Sequence, residues 1–66
     1  SGLLTVHFEG LNAELVISLR DVNGRILETK TGSTFIEFDL GHFETGVYLI
    51  DCEHHNQRIV KRIVRD

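Results

Sequence analysis

The feature that most constrains this chain is a period of two in its apolar residues. They alternate with polar residues in runs at 4–8, 15–20, 36–40 and 48–52. Successive side chains of a β-strand point to opposite faces, so each run has one face for a core and one for solvent. Asn23-Gly24, between two runs, is a strong hairpin signal because both residues tolerate positive φ. The spacing predicts an all-β fold, a small antiparallel Ig-like β-sandwich of about six to seven strands.

The size of the chain limits what the fold can support. With 66 residues and 41% hydrophobic residues, it forms one small domain. A chain of this length buries only about 60% of its unfolded surface, so little stability remains to hold a strained catalytic site. We interpret residues 1–2, Ser-Gly, as a remnant of cloning and residues 3–66 as the domain.

The last apolar segment fits two interpretations. Ile59, Val60, Ile63 and Val64 would also form an apolar stripe on a helix. All four are β-branched, which favours a strand. We predict a strand that closes the final hairpin.

Charge is distributed unevenly along the chain. The net charge is −3, but residues 58–66 carry four bases and one acid, whereas residues 1–57 carry three bases and nine acids. The acidic balance excludes a general affinity for nucleic acid. A basic segment on an acidic body indicates either a solvated strand face or an electrostatic recognition site.

No constellation of residues predicts catalysis, a metal or a cofactor. Cys52 and His54 share a strand face, but no orienting group or oxyanion donor accompanies them. His54 and His55 are adjacent, so strand geometry points them apart, and a structural zinc site requires four ligands. A single cysteine excludes an internal disulfide, and no apolar run approaches the roughly 18 residues of a transmembrane helix. We therefore predict a protein that is not an enzyme.

Three segments, taken in order, resemble a known family. Residues 19–27 run from a strand through Asp-Val-Asn-Gly-Arg into aliphatic residues, residues 43–50 read Phe-Glu-Thr-Gly-Val-Tyr-Leu-Ile, and residues 58–65 alternate bases with aliphatics. Together they are similar to the type A C-terminal sorting domain of the type IX (Por) secretion system. Glu44 stands where the family usually has proline. The family also usually opens with a further strand after an Asn-Pro stretch, so the chain is expected to lack that first strand.

The resemblance implies a non-catalytic C-terminal secretion signal. Its cargo would be fused to its N-terminal side, and a type IX translocon would carry both through the periplasm and the outer membrane. A sortase-like peptidase would then remove the domain, leaving the cargo anchored at the cell surface or released. The alternative function is a fibronectin- or Ig-like spacer or adhesion module of a secreted protein.

The resemblance and the basic segment together give a set of predicted recognition residues in the last two strands. These residues are Gly46, Tyr48, Arg58, Lys61, Arg62, Ile63, Val64 and Arg65. A missing first strand would leave a neighbouring strand edge unpaired. Unpaired backbone groups attract another chain, so we also expect edge pairing or strand exchange between copies, giving a homodimer.

Overall fold

The alternating runs form strands, as predicted. A computed structural model describes residues 2–7, 14–54 and 56–66. Within them lie six strands and one short 3₁₀ turn: β1 (Leu3–His7), β2 (Leu15–Asp21), β3 (Ile26–Gly32), β4 (Phe35–Asp39), the turn Leu40–His42, β5 (Gly46–His54) and β6 (Gln57–Arg65).

The strands form two antiparallel sheets that enclose one core. β1 pairs with β4, and the larger sheet has the order β3-β2-β5-β6. Apolar side chains from both sheets fill the space between them: Leu15, Ile17, Leu19, Ile36, Phe38, Leu40, Tyr48 and Ile50. The prediction of a small all-β sandwich is confirmed.

The ambiguous last segment is a strand. β6 pairs with β5 from Gln57, opposite His54, to Arg65, opposite Gly46. β-branched residues occupy four of its nine positions, and such side chains fit a pleated surface better than a helix.

The β2–β3 turn differs in detail from the predicted Asn-Gly turn. Only Gly24 has positive φ (87°), whereas Asn23 does not. Asp21 organises the loop, because its Oδ1 accepts hydrogen bonds from the backbone N–H groups of Asn23 and Arg25, both at 2.9 Å. The aspartate therefore favours a three-residue loop that ends in a left-handed glycine.

The aromatic residues divide between core and surface. Phe38 and Tyr48 are buried and Phe43 is half-buried against the core, as the alternation predicts. Phe35 is instead half-exposed on β4, with its ring 6.0 Å from that of His7. Phe35 is the first residue of β4, whereas the buried residues Ile36 and Phe38 are the second and the fourth. Alternation therefore points the Phe35 side chain to the opposite face of the strand. Phe8, another expected core residue, lies outside the described residues.

Among the residues described, no helix has the length and apolarity required to cross a membrane.

Candidate recognition surface

A buried carboxylate links β6 to the rest of the larger sheet. Asp51 lies on β5, and its side chain accepts from Arg20 Nε at 2.9 Å, from Arg58 Nε at 2.9 Å and from Arg58 Nη2 at 2.7 Å. The Asp51 side chain is 9% exposed, whereas that of Arg58 is 57% exposed. Three strands, β2, β5 and β6, are thus joined on the outer face of the sheet by one carboxylate.

The two guanidinium groups keep Asp51 ionised. Hydrogen bonds from Arg58 lower the pKa of the Asp51 carboxyl, burial opposes that shift, and hydrogen bonds from Arg20 lower the pKa further. The same pairing with Asp51 raises the pKa of Arg58. Arg20 is also held by a 2.7 Å bond from its Nη1 to the carbonyl of Gly24, so the arrangement extends to the β2–β3 turn.

A shallow hollow of about 360 Å³ adjoins this ion-pair group. Its lining includes Val16 and Ser18 from β2, Asp51 and Glu53 from β5, and Asn56 from the final turn. Asn56 adopts positive φ (64°), which this residue type tolerates better than most. Arg20 and His54 complete the lining, and the hollow is wide, polar and open to solvent, so it offers a contact surface rather than an enclosed site.

The four bases of β6 lie on two faces. Side chains alternate along a strand, and cross-strand neighbours share a face. Arg58 and Arg62 therefore lie with Asp51 on the outer face, whereas Lys61 and Arg65 lie on the inner face with the core residues of β5. The basic segment is a strand with charge on both sides and not a single basic face.

One edge of β6, its open edge, has no partner strand among the described residues. β6 ends the order of its sheet, so β5 pairs with only one of its sides. The backbone N–H of Asp21 donates to the carbonyl of Arg25, so the backbone groups of Asp21 point toward β3. Because backbone direction alternates along each strand, the registers that join β2 to β5 and β5 to β6 then fix the direction of each backbone group in β6. The N–H and C=O groups of four residues point to the open edge: Arg58, Val60, Arg62 and Val64.

Apolar side chains accompany the bases along this edge. Ile59, Val60 and Val64 are 57%, 48% and 55% exposed, respectively. Ile63 is the exception, since it is half-buried and packs against the core. The exposed aliphatic residues leave β6 as an apolar and basic strip along the side of the sandwich.

Arg65 has an unfilled hydrogen-bonding position. Its Nε is buried and has no hydrogen-bond partner among the described residues. Arg65 lies opposite Gly46, which has no side chain to offer an acceptor. A buried donor without a partner is unfavourable, so this end of β6 would gain from an added acceptor.

Two of the predicted recognition residues have mainly structural positions. Tyr48 is buried, its hydroxyl donates to the carbonyl of Glu44, and its ring lies 5.9 Å from that of Phe43. Gly46 has a φ of 150°, which other residues rarely adopt. Gly46 and Tyr48 therefore both shape the loop that leads into β5. Within this loop, the Glu44 carbonyl accepts the hydrogen bond from Tyr48.

A second open region lies on the inner side of the sandwich, between β1 and β6. Two adjoining hollows of about 230 and 240 Å³ share Val6, His7, Ile50 and Lys61 in their linings. Among the described strands, β1 pairs only with β4, and its other edge faces this region. The two-stranded sheet thus leaves part of the inner face of β6 uncovered.

Cys52 lies in surroundings that disfavour a reactive thiol. The side chain is half-buried, and burial together with the nearby Asp51 charge raises the pKa of its thiol. A raised pKa disfavours the thiolate that a nucleophile or metal ligand requires. Within the described parts of the chain, no group of three histidine, cysteine or acidic side chains could hold a metal ion. His55, one of the histidines considered, lies outside them.

The central part of the surface, Asp51, was missed by reasoning from the sequence. Alternation places it on the solvent face of β5, where an acidic residue is unremarkable. The sequence does contain a signal for this role. Asp51 lies between Ile50 and Cys52, and the two strands next to β5 in the sheet each carry an arginine, Arg20 in β2 and Arg58 in β6. The pairing of these residues depends on strand register, which the sequence does not specify.

Comparison with known proteins supplies the family. A search of curated proteins finds no match. A family model described as a secretion system C-terminal sorting domain matches residues 1–66, which is the whole chain. The match agrees with the ordered motifs at residues 19–27, 43–50 and 58–65. The chain therefore belongs to the family of type IX secretion C-terminal sorting domains.

Proposed function

We propose that this domain is a non-catalytic export signal that the type IX translocon reads on folded β6. Its family implies interaction with type IX machinery and export across the outer membrane to the cell surface or the extracellular space. The observation that supports β6 as the recognised element is its open edge, which combines four bases with exposed aliphatic residues. Folding alone gains little from these charges, since exposed ion pairs contribute at most about 1 kcal/mol each.

The proposal includes the steps that precede and follow recognition. The cargo lies on the N-terminal side of the domain and passes through the periplasm before the translocon engages β6. A sortase-like peptidase then removes the domain, and the cargo is anchored at the cell surface. The family assignment supports export, whereas cleavage and anchoring rest on the resemblance alone.

The bases of β6 suit a role in steering. The rest of the chain carries a charge of −6 against +3 for residues 58–66, so the molecule has a pronounced charge asymmetry. Such asymmetry orients a protein as it approaches an acidic receptor, and the effect weakens with salt. Within the described residues, Arg58 is the only base of β6 with an ion pair, so Lys61, Arg62 and Arg65 remain for a receptor.

The test is export of a reporter protein. The reporter, behind a signal peptide, is fused to residues 3–66 in a type IX-competent host, and reporter in the medium or at the surface is compared with reporter in the periplasm. We expect export by the parent fusion and periplasmic retention after deletion of residues 59–66. Lys61→Gln with Arg62→Gln should also reduce export, because two of the three bases of β6 without an ion pair among the described residues are removed.

The matched control is Arg25→Glu. It changes the net charge by the same two units but lies at the β2–β3 turn, where Arg25 is 79% exposed. It should leave export unchanged. Equal export by the parent and the deletion fusion would contradict the proposal and favour the spacer or adhesion module. Equal loss in the double variant and in Arg25→Glu would show that only net charge is read.

A further inference from the structure

We infer that the open edge of β6 binds an extended acidic and aliphatic segment of a partner protein by β-strand addition. This inference rests on the proposed function for the source of the segment, which is the export machinery. An added strand would extend the four-stranded sheet beyond β6. The backbone of such a strand would satisfy the N–H and C=O groups that Arg58, Val60, Arg62 and Val64 direct outward.

The order of side chains in β6 specifies the chemistry of the partner. Residues 58–65 read base, aliphatic, aliphatic, base, and then the same four again. Cross-strand neighbours share a face, and opposite charges or two aliphatic residues attract when they are paired. A complementary strand therefore reads acid, aliphatic, aliphatic, acid, repeated. The order of bases and aliphatic residues is the same whether residues 58–65 are read forwards or backwards, so it does not by itself select a parallel or an antiparallel partner.

Each face of β6 contributes to this match. On the outer face, Arg62 lies between the exposed side chains of Val60 and Val64, and on the inner face, Lys61 lies between Ile59 and Ile63. A partner carboxylate opposite Arg65 would lie near its buried Nε, which lacks an acceptor among the described residues. The donor without an acceptor favours a partner that carries an acceptor, and the unpaired edge separately favours an added strand.

The same pattern disfavours a second copy of β6 as the occupant. Residues 58–65 contain no acid, so no register between two copies of β6 places a base opposite an acid. In the two most central antiparallel registers that keep each side chain on its own face, Lys61 would face the Lys61 of the second copy, or Arg62 would face its Arg62. Like charges directly opposite each other destabilise a sheet, and charged edges prevent self-pairing.

The test uses the 66-residue chain and a synthetic peptide, Glu-Val-Ile-Glu-Glu-Val-Ile-Glu with blocked ends. Titration is followed by NMR at low salt. We expect the amide protons of Val60 and Arg62 to shift downfield as they form hydrogen bonds, whereas those of Lys61 and Ile63, already bonded to β5, change little. Equal shifts in both sets, or no binding at millimolar peptide, would overturn the inference. The readout requires no variant, so it does not depend on any substitution being tolerated.

Three controls separate strand addition from charge attraction. A peptide of the same composition with its four acids grouped together should bind at least tenfold more weakly, because its pattern does not match. Lys61→Gln with Arg62→Gln removes two opposite-charge pairs and should weaken binding by about 2- to 30-fold. Val60→Pro removes an outward N–H without touching the bonds to β5 and should abolish binding, whereas Val60→Thr should retain it.

The outcomes also separate this inference from the proposed function. Failure of the peptide to bind, together with normal export of the reporter, would refute strand addition and leave the sorting function intact. Binding of the peptide without export of the reporter would support the edge as a strand acceptor and refute its use in sorting. Equal binding by the grouped-acid peptide, or by Val60→Pro with a native spectrum, would show that only charge attracts the peptide and would overturn the inference.

Discussion

Replacement of Asp51 by asparagine tests whether the buried carboxylate stabilises the sheet. The substitution keeps the shape of the side chain but removes the charge that accepts from Arg20 and Arg58. Arg58 is largely exposed and can be hydrated, so its loss of a partner has a small effect. Arg20 is 26% exposed and keeps its bond to the Gly24 carbonyl, but the NH2 group of asparagine is a donor and cannot accept from a guanidinium as the lost carboxylate oxygen did. We therefore expect a loss of about 1–2 kcal/mol in the free energy of unfolding.

This loss is large for a chain of 66 residues. In a domain of about this size, 1 kcal/mol corresponds to a change of roughly 4–8 °C in Tm. Thermal unfolding at neutral pH, followed by circular dichroism, should therefore show Asp51→Asn melting about 4–16 °C below the parent. The control is Glu37→Gln on β4, where the exposed side chain makes no hydrogen bond or ion pair with the described residues.

The pH dependence of the difference provides the sharper test. Folding lowers the pKa of Asp51 from its ordinary value of 3.8. The carboxylate therefore stabilises the fold fully above that value, and the contribution is lost as pH falls through the lower pKa of the folded state. The gap in Tm between the parent and Asp51→Asn should be constant near neutral pH and should narrow in acid. A gap that stays the same at pH 2, or an equal decrease in Glu37→Gln, would refute the assignment of the stabilisation to this carboxylate.

Two further predictions concern the core and the open edge of β1. Phe38→Ala removes a fully buried ring from the centre of the sandwich and should lower the free energy of unfolding by about 3–5 kcal/mol, so urea denaturation should find the variant largely unfolded. An unchanged urea midpoint would show that the two sheets do not pack around Phe38. The edge of β1 carries no acidic or basic residue except His7, so the expected self-association should occur there rather than at β6. Thr5→Lys should then reduce the dimer seen by sedimentation at high concentration, and a parent that stays monomeric at millimolar concentration would contradict the expectation.

The fold followed from the sequence because one simple pattern determined it. The alternation in residues 15–20, 36–40 and 48–52 placed the apolar side chains that fill the core, and these residues are buried as predicted apart from Cys52, which is half-buried. The hairpin at Asn23-Gly24 is present as predicted, but only Gly24 adopts positive φ because the Asp21 side chain shapes the loop. Hydrogen bonds from Asn23 and Arg25 to Asp21 favour a three-residue loop, and Asn-Gly is compatible with that loop as well.

The surface was less predictable because it depends on which strands are neighbours. The bases of β6 were evident as a cluster in the sequence, but their division between two faces follows only from the pairing of β6 with β5. The role of Asp51 depends on two registers at once, since Arg20 reaches it from β2 and Arg58 from β6. Non-local pairs of this kind leave no local periodicity.

β6 is an edge strand whose backbone is paired on one side and which carries bases on both faces. These two features together explain how β6 can be exposed without pairing with another copy of itself. Lys61 and Ile63 direct their backbone groups toward β5, so the ladder that holds β6 does not compete with the groups at the open edge. Arg58 and Arg62 lie at the open edge, where their like charges oppose pairing with another copy. The bases that oppose pairing between two copies of β6 are also those that an acidic strand would neutralise. The same residues thus oppose pairing of β6 with another copy and match the acidic strand that we propose as its partner.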